Sequence, residues 1–505
     1  MKKIIKIFLS IFIVFVTSSC SFVDKIIGNS NSHEEIDSKT KESIFNISID
    51  YNDSQYPNSI KLLNKAFNKE ENNNLSFDFD KTNFDNKDNS YLYDVTKNVK
   101  SLPYNNYTTP SVGNIRALVI PVQFIDAKAK EINDKDVVLD SKYYSVSDYY
   151  YQSSYGKLNM KFDIMNWFTC EKESNYYKNY RRKNSNEDTD GVDLIINEAL
   201  AYLSNKIDLS IYDENNDGII DALYLIYSKN YNPNDDFWWA YQYYDSENKK
   251  YDNKSPYSYI FASFNFLFEN DSLCNPTTYI HETGHLLGLE DYYDYDTSIG
   301  TGCNTGGMGG ADMMDTNIGD HNTFSKLLTG WINNPLIIDT SSSITIDLKP
   351  SVLSDQCIIL TNSFDPKKGI FQEYFIIEYY VNKGINSKMG IYKFNGIRIL
   401  HINATLKSNI SNGYTYEYFA YDNSYTSYNL IDIIIDSQGN SYSKTNSSYT
   451  LYTSNDLFIK EESLLNAYYN GYRKTLLGYE GKKLNYSIYV ENLTDEYATI
   501  KISKK

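Results

Sequence analysis

The sequence predicts a mixed α/β fold followed by a β-rich C-terminal region. In the first part, apolar runs typical of buried strands (residues 115–124, 157–167 and 222–227) alternate with segments of helical apolar spacing (residues 147–154 and 191–203). After Pro335 the pattern changes to short apolar stretches between turn residues, which is typical of strands. A chain of 505 residues is too long for one compact core, so we expect two or three domains.

Further strands are predicted both before and after Pro335. Two aromatic segments, residues 236–244 and 257–268, predict strands in the first part. The C-terminal region predicts strands at residues 344–348, 357–361, 374–380, 397–402, 430–435 and 484–490. His401 lies in one of these strands, where we expect a packing role.

A histidine motif follows the aromatic segments. Residues 281–291 have the sequence HETGHLLGLED. Positions four apart lie on one face of a helix, so His281 and His285 can present two imidazole nitrogens to one metal ion. Glu282 lies beside them, where its carboxylate can act on a water molecule rather than bind the metal.

The residues after the motif predict a third ligand. Gly288 can adopt a left-handed conformation that ends the helix and turns the chain back. That turn brings Asp291 towards the metal and leaves the fourth position of a tetrahedral zinc site for water. Glu290 is the alternative ligand. The other alternative, two ordinary helical histidines beside a glutamate, is disfavoured because the chain has only five histidines.

The segment HETGHLLGLEDYYD resembles the active-site signature of the immune inhibitor A family of metzincin-like bacterial peptidases, which reads HExxHxxGxxD. The segments GNIRALVIPVQFID, SVSDYYYQSSYGKLNM, DENNDGIIDALYLIY and GGADMMDTNIGDHNTFSKLLTGW are also similar to that family's domain. The resemblance implies a metzincin-like catalytic domain with an active-site helix, and a zinc-dependent endopeptidase. His281, His285 and Asp291 are then the ligands of one catalytic Zn²⁺, and Glu282 is the general base.

The same resemblance implies a methionine turn beneath the metal. Met314 is the expected residue, followed by Met313 and then Met308, with plain core packing as the alternative for each. One of the two aromatic strands is implied to pair with an extended substrate backbone, and ordinary core strands are the alternative. His321 either contacts the tetrahedral intermediate or caps a helix at residues 324–328 from the surface, and we favour the structural role.

An acidic turn at residues 213–221 has the spacing of a calcium loop. Four oxygen-bearing side chains occupy its positions 1, 3, 5 and 9, namely Asp213, Asn215, Asp217 and Asp221. Gly218 is the expected glycine at position 6, but position 12, which needs a bidentate glutamate, is Tyr224. A bound Ca²⁺ and a solvated turn that leads into the next strand both stay open.

The N-terminus predicts export. Residues 1–19 combine three lysines, an apolar run and small residues directly before Cys20, which resembles a lipoprotein signal peptide with lipid attached to Cys20. We expect a chain anchored by this lipid on the outer face of the bacterial cell membrane. An ordinary secretory peptide, and hence a secreted protein, is the alternative. Residues 20–105 are rich in Asn, Asp, Ser and Lys and predict a tether with a spacer or pro-segment.

These boundaries leave residues 106–335 for the catalytic domain and residues 336–505 for the β-rich C-terminal region. Four cysteines remain after Cys20, and they permit three disulfide connectivities in an exported protein: Cys170, Cys274, Cys303 and Cys357. None has the CxxC spacing of a structural zinc site.

The net charge of the chain limits the classes of partner that we expect. The net charge is −17 and is spread along the sequence, which argues against nucleic-acid binding. The partners expected are extracellular proteins or peptides as substrates, and the membrane through the N-terminal lipid. Two rival classes are a zinc-binding but non-proteolytic surface adhesin and a metal-dependent hydrolase of a different bond. The intact Glu282 argues against the adhesin.

Overall fold

A computed structural model describes residues 57–69, 91–95, 109–130, 132, 145–180, 190–247, 249–269, 273–293, 308–339, 343–388, 392–411, 414–423, 429–434, 457–459 and 486–504. The architecture is mixed α/β, as the sequence predicts. The predictions for the signal peptide, Cys20 and Cys303 lie outside the described residues. Within the described ranges, no helix is both long and apolar enough to cross a membrane.

The regular elements are as follows. The helices are α1 (Pro57–Phe67), α2 (Val146–Ser153), α3 (Ser174–Asn179), α4 (Gly191–Leu203), α5 (Thr277–Leu286), α6 (Met313–Thr316) and α7 (Thr323–Leu328). The strands are β1 (Tyr91–Leu92), β2 (Gly113–Gln123), β3 (Leu158–Ile164), β4 (Phe168–Thr169), β5 (Leu223–Tyr227), β6 (Tyr241–Tyr244), β7 (Ser258–Ser263), β8 (Phe268–Glu269), β9 (Leu273–Cys274), β10 (Leu336–Ile338), β11 (Ile344–Leu348), β12 (Ile358–Leu360), β13 (Glu373–Tyr380), β14 (Gly396–Asn403), β15 (Leu406–Ser411), β16 (Tyr414–Phe419), β17 (Ile431–Ile434), β18 (Tyr486–Leu493) and β19 (Ala498–Lys504).

The first large sheet has the strand order β3-β2-β5-β7-β6, and the short β4 also pairs with β2. Strands β3, β2, β5 and β7 are parallel, and β6 lies antiparallel at the edge. Helix α4 packs on one face, while α1, α2 and α5 pack on the other. Both faces of the central strands are therefore buried, which explains their almost continuous apolar runs.

The second large sheet has the strand order β1-β10-β12-β13-β14-β17. A separate three-stranded sheet has the order β11-β19-β18. All six C-terminal strands predicted from the sequence are present within about three residues of their expected bounds. One apolar cluster runs from Ile60 to Ile502 and includes residues of both large sheets. Residues on either side of the expected boundary at residue 335 thus share one core.

Two predicted strands were too long. Of residues 236–244, only Tyr241–Tyr244 is a strand. Trp238 lies before it in a loop and is buried against the rings of Phe124 and Tyr227, with centroids 5.4 and 5.1 Å away. The aromatic run reflects burial rather than strand pairing. The second segment leaves the strand at Ser263, whose Oγ accepts the N–H of Asn265 (3.1 Å) and starts a 3₁₀ turn.

The described cysteines do not form disulfides with one another. Cys170, Cys274 and Cys357 are buried free thiols, and burial raises the pKa of each.

Helix α1 belongs to the core of the first sheet. Its apolar residues recur at helical spacing and face β3, so the helix presents one apolar side to the sheet. Phe67 is fully buried at the end of this side. Its ring meets those of Phe162, Tyr224 and Tyr279 edge-on, with centroids 5.1, 5.6 and 5.1 Å away. Because Tyr279 lies on α5, α1 supports the histidine helix from behind.

Polar contacts tie the same N-terminal segment to the rest of the fold. The side chain of Asn68 accepts the backbone N–H of Phe162 (2.9 Å) and donates to its carbonyl (2.8 Å), which satisfies the open edge of β3. Strand β1 pairs with β10 of the second sheet. The N–H of Thr109 donates to the carbonyl of Leu286 at the end of α5 (3.1 Å). The described parts of the expected tether therefore pack on both sheets.

We expect Phe67→Ala to lower the free energy of unfolding by about 3–5 kcal/mol, because it leaves a cavity between three aromatic rings. Urea-induced unfolding of the full chain measures this loss. The exposed Lys61 on the same helix supplies the control, and Lys61→Ala should change stability by no more than about 0.5 kcal/mol. Equal stability of the two variants would show that α1 is not part of the folded core.

Candidate metal centre

Helix α5 carries His281, Glu282 and His285, and its end confirms the predicted turn. Gly288 has φ +87°, a left-handed conformation. The N–H of Gly288 donates to the carbonyl of His285 (2.9 Å), and the N–H of Leu289 donates to that of Gly284 (3.0 Å). These bonds satisfy carbonyls that the end of the helix would otherwise leave open, and they turn the chain back towards the histidines.

The turn brings three ligand atoms together. His281 Nε2 lies 3.1 Å from Asp291 Oδ1 and 3.1 Å from His285 Nε2, and the third separation, from His285 Nε2 to Asp291 Oδ1, is 3.2 Å. Ligands about 2.05 Å from a tetrahedral ion lie about 3.3 Å apart. Within the described residues this is the one group of three His, Cys, Asp or Glu side chains that is close enough to hold a metal ion.

Backbone carbonyls set the orientation of both imidazole rings. His281 Nδ1 lies 2.9 Å from the carbonyl of Met313, and His285 Nδ1 lies 2.8 Å from that of Leu289. Each Nδ1 must carry the proton, because a carbonyl oxygen only accepts. In the neutral rings both Nε2 lone pairs therefore face each other and the Asp291 carboxylate. Three electron pairs so close together require a cation between them.

The charges within the group favour positive charge on the two imidazole rings. Burial alone would lower the pKa of His285, but the carboxylate of Asp291 raises it to about 10. Burial would likewise raise the pKa of Asp291, but His285 and His281 hold it well below its usual range. The site thus has a strong preference for positive charge at its centre.

The structure distinguishes the two candidate acidic ligands. Asp291 contributes an oxygen to the three-atom group, and Glu290 does not. Burial raises the pKa of Glu290 to about 7. The position of Asp291 is also supported from the C-terminal region, because Asn423 Nδ2 donates to the carbonyl of the adjacent Tyr292 (3.0 Å).

Glu282 lies between the helix and the edge of the first sheet. It is buried, and burial raises the pKa of its carboxyl group. The backbone of Gln242 on β6 partly offsets this rise in pKa. A carboxylate with a raised pKa beside a metal site is suited to take up and release a proton.

The methionines lie beneath α5. Met314 packs directly under Gly284, where an added Cβ would lie 2.5 Å from Met314 Sδ. The carbonyl of Met313 is the acceptor for His281 described above, and Met308 is buried in the same apolar cluster. Among the three candidates, Met314 is thus the one whose side chain contacts the helix between the two histidines.

Two residues that the sequence did not identify hold the loop before α6. Arg398 Nη1 donates to the carbonyl of Ala311 (2.9 Å), just before α6, and its Nε donates to Glu378. Both side chains are buried, and they lie directly opposite each other on β14 and β13. A signal was present in the sequence, because each is a charged residue of opposite sign in the middle of an apolar strand.

The acidic turn does not assemble a comparable group. The carboxylate of Asp213 accepts the N–H groups of Asp217 and Gly218 (both 3.0 Å) and pairs with Lys254. Asp221 accepts the N–H of Glu214 (2.7 Å). Among the described residues, the carboxylates of Asp213, Asp217 and Asp221 do not bring three oxygens close enough for one ion. Calcium binding here stays a prediction.

His321 is buried rather than exposed, so it does not cap α7 from the surface. Asn322 caps that helix instead, and its side chain accepts the N–H groups of Phe324 and Ser325. The ring of His321 packs among those of Tyr149, Tyr150 and Trp331, with centroids 5.5–5.8 Å away. Neither ring nitrogen has a hydrogen-bond partner among the described residues, and burial holds the pKa well below its usual value.

We expect His321 to make the protein less stable in mild acid. Below its ordinary pKa of about 6.5 the unfolded chain takes up a proton that the folded chain excludes, so stability falls as the pH falls. From pH 8 to pH 5 this effect should cost up to about 2 kcal/mol in the unchanged protein. His321→Leu should remove that part of the loss, which urea unfolding at the two pH values would measure. Identical pH dependence in both proteins would contradict it.

The site as a whole brings three side chains that could hold a metal ion close to the buried carboxylate of Glu282 and to the edge strand β6. No protein-family model matches the chain, and no curated protein is significantly similar to it.

Proposed function

We propose that the protein is a zinc-dependent endopeptidase with a metzincin-like catalytic domain, similar to the immune inhibitor A family. The observation that carries the proposal is the convergence of His281, His285 and Asp291, with Glu282 buried beside them. The HExxHxxGxxD pattern and the position of Met314 under the helix also support it.

Zinc is the metal that suits this set of ligands best. Two neutral imidazoles and one carboxylate, held at about tetrahedral spacing, match catalytic zinc sites, which take three protein ligands and keep one position open. Calcium and magnesium prefer sets of oxygen ligands. Both imidazoles are already held in the required tautomer by backbone carbonyls.

Glu282 is the proposed proton carrier. When bound, a zinc ion supplies Lewis-acid activation of water and of the substrate carbonyl. The carboxylate of Glu282 takes a proton from the attacking water and delivers it to the nitrogen of the leaving amine. The raised pKa of this carboxyl group favours both transfers near neutral pH, because the group holds a proton more readily than an exposed glutamate does.

The edge strand β6 is the proposed binding surface for the peptide. It pairs with β7 on one side, and Gln242 in its centre contacts Glu282. A substrate backbone added to this edge would place its peptide bonds next to the metal ligands. Extracellular proteins or peptides are the proposed substrates, because the N-terminal sequence predicts export and lipid anchoring at Cys20.

We expect Glu282→Ala to abolish cleavage of casein, by at least about 10³-fold, while the protein keeps one zinc ion per chain, because Glu282 handles protons but does not bind the metal. Zinc content and casein hydrolysis, with and without a chelator, test this expectation. Glu171→Ala, at an exposed position, is the control and should retain full activity.

Three results would contradict the proposed endopeptidase function. Wild-type activity in Glu282→Ala would remove Glu282 as the base. Zinc binding without any cleavage by the unchanged protein would favour a non-proteolytic binding protein. Chelator-sensitive cleavage of another bond, with casein left intact, would favour a different hydrolase.

The third ligand can be tested by a matched pair of neighbouring acids. Asp291→Ala should weaken zinc binding by at least about tenfold, because it removes one of three ligands and leaves two. Glu290→Ala should leave zinc affinity unchanged, since Glu290 lies outside the ligand group. Competition with a chromophoric chelator measures both affinities. The reverse pattern would assign the third ligand to Glu290.

A further inference from the structure

Three aromatic side chains form an exposed cluster at one end of the first sheet. We call Tyr231, Trp239 and Phe266 the aromatic trio. The rings of Tyr231 and Phe266 stack, with centroids 4.3 Å apart and planes 15° apart. Trp239 stands edge-on to both, at 5.6 and 5.4 Å. Tyr231 and Trp239 are each 40% exposed, which is unusual for large rings packed against one another.

The trio lies at the carboxyl ends of two parallel strands. Tyr231 follows β5, and Phe266 follows β7 in the 3₁₀ turn Phe264–Leu267. Trp239 is held at the same place because Tyr227 Oη donates to its carbonyl (2.9 Å). The carboxyl ends of strands in an open α/β sheet are where such folds commonly bind ligands.

The trio also lies on the line of the proposed peptide-binding edge. Trp239 precedes β6 by two residues and precedes Gln242, the residue that contacts Glu282, by three. At about 3.3 Å per residue, an extended chain would cover about 10 Å between these positions. The loop that carries Phe266 is tied to the start of α5, since Tyr279 Oη donates to the carbonyl of Ser263 (2.6 Å).

Polar contacts hold the two loops of the trio together before any ligand arrives. The side chains of Asn230 and Asn265, each directly before a member of the trio, hydrogen-bond to each other. Ser263 Oγ donates to the carbonyl of Lys229 (2.6 Å). The rings are therefore held in position, so binding of a side chain costs little conformational entropy in these loops.

We propose that the aromatic trio is a specificity subsite for an aromatic side chain of the substrate, about three residues from the scissile bond on the side where β6 begins. This inference rests on the proposed endopeptidase function and on the binding of the substrate along β6. An aromatic ring of the substrate adds a third stacking partner to Tyr231 and Phe266 and covers the exposed face of Trp239. A polypeptide is the occupant because the trio continues the edge strand that passes Glu282.

The test uses quenched fluorescent peptides with one Phe placed in turn at each position from four before to four after the scissile bond, in an otherwise small and polar sequence. The full-length protein should cleave peptides with Phe two to four residues away on one side about tenfold faster, in kcat/KM, than the all-small peptide. Trp239→Ala and Tyr231→Ala should each lose most of this preference, measured within each variant as the ratio of kcat/KM for the Phe-containing and all-small peptides. Tyr202→Ala, at an exposed tyrosine on α4, is the control and should keep the preference.

Binding provides a readout that does not depend on turnover. In the Glu282→Ala protein, the Phe-containing peptide should bind about tenfold more tightly than the all-small peptide, and Trp239→Ala should remove the difference. Cleavage of casein and peptides with no preference for Phe at any position would overturn the subsite and leave the proposed function intact. Absence of any cleavage would instead overturn the proposed function. Binding of an oligosaccharide to the trio, lost in Trp239→Ala and not displaced by the peptide, would overturn the peptide assignment.

Discussion

Two backbone carbonyl groups determine what the centre of this protein can bind. The carbonyls of Leu289 and Met313 fix the protons of His285 and His281 on Nδ1, and so direct two lone pairs at Asp291. One carbonyl belongs to the turn that follows α5, and the other to the first residue of α6, two residues after the Ala311 carbonyl that Arg398 binds. The affinity of the site for a cation therefore depends on backbone positions at both places, as well as on the ligands themselves.

The features that could be predicted from the sequence depend on short segments of the chain. The helix Gly191–Leu203 was predicted with its observed bounds, because apolar spacing is a property of a short segment of the chain. The turn at Gly288 and the approach of Asp291 follow from the conformational freedom of one glycine. The mixed α/β class follows from patterns of the same short range, since apolar period and turn residues are properties of single segments.

The features that could not be predicted depend on contacts between residues that are far apart in the sequence. The burial of His321 requires aromatic rings from α2 and from the segment that follows α7. The pairing of Arg398 with Glu378 requires the register of two strands, and the core position of Phe67 requires a sheet that forms from later residues. The loop around Trp238 resembled a strand because aromatic residues are enriched in strands as well as in buried loops. Each of these features is set by tertiary packing.

The residues that support the candidate metal centre lie far apart in the sequence, so the site is completed late in synthesis. A nascent chain that ends just after Asp291 already contains all three ligands. The carbonyl that orients His281 comes 32 residues after it, Arg398 lies 87 residues beyond Ala311, and Asn423 lies 131 residues beyond Tyr292. Contacts of such long range form slowly and after local structure. The three ligand residues are thus synthesised well before the residues that fix their geometry. For a long interval the growing chain contains the motif but not the completed site.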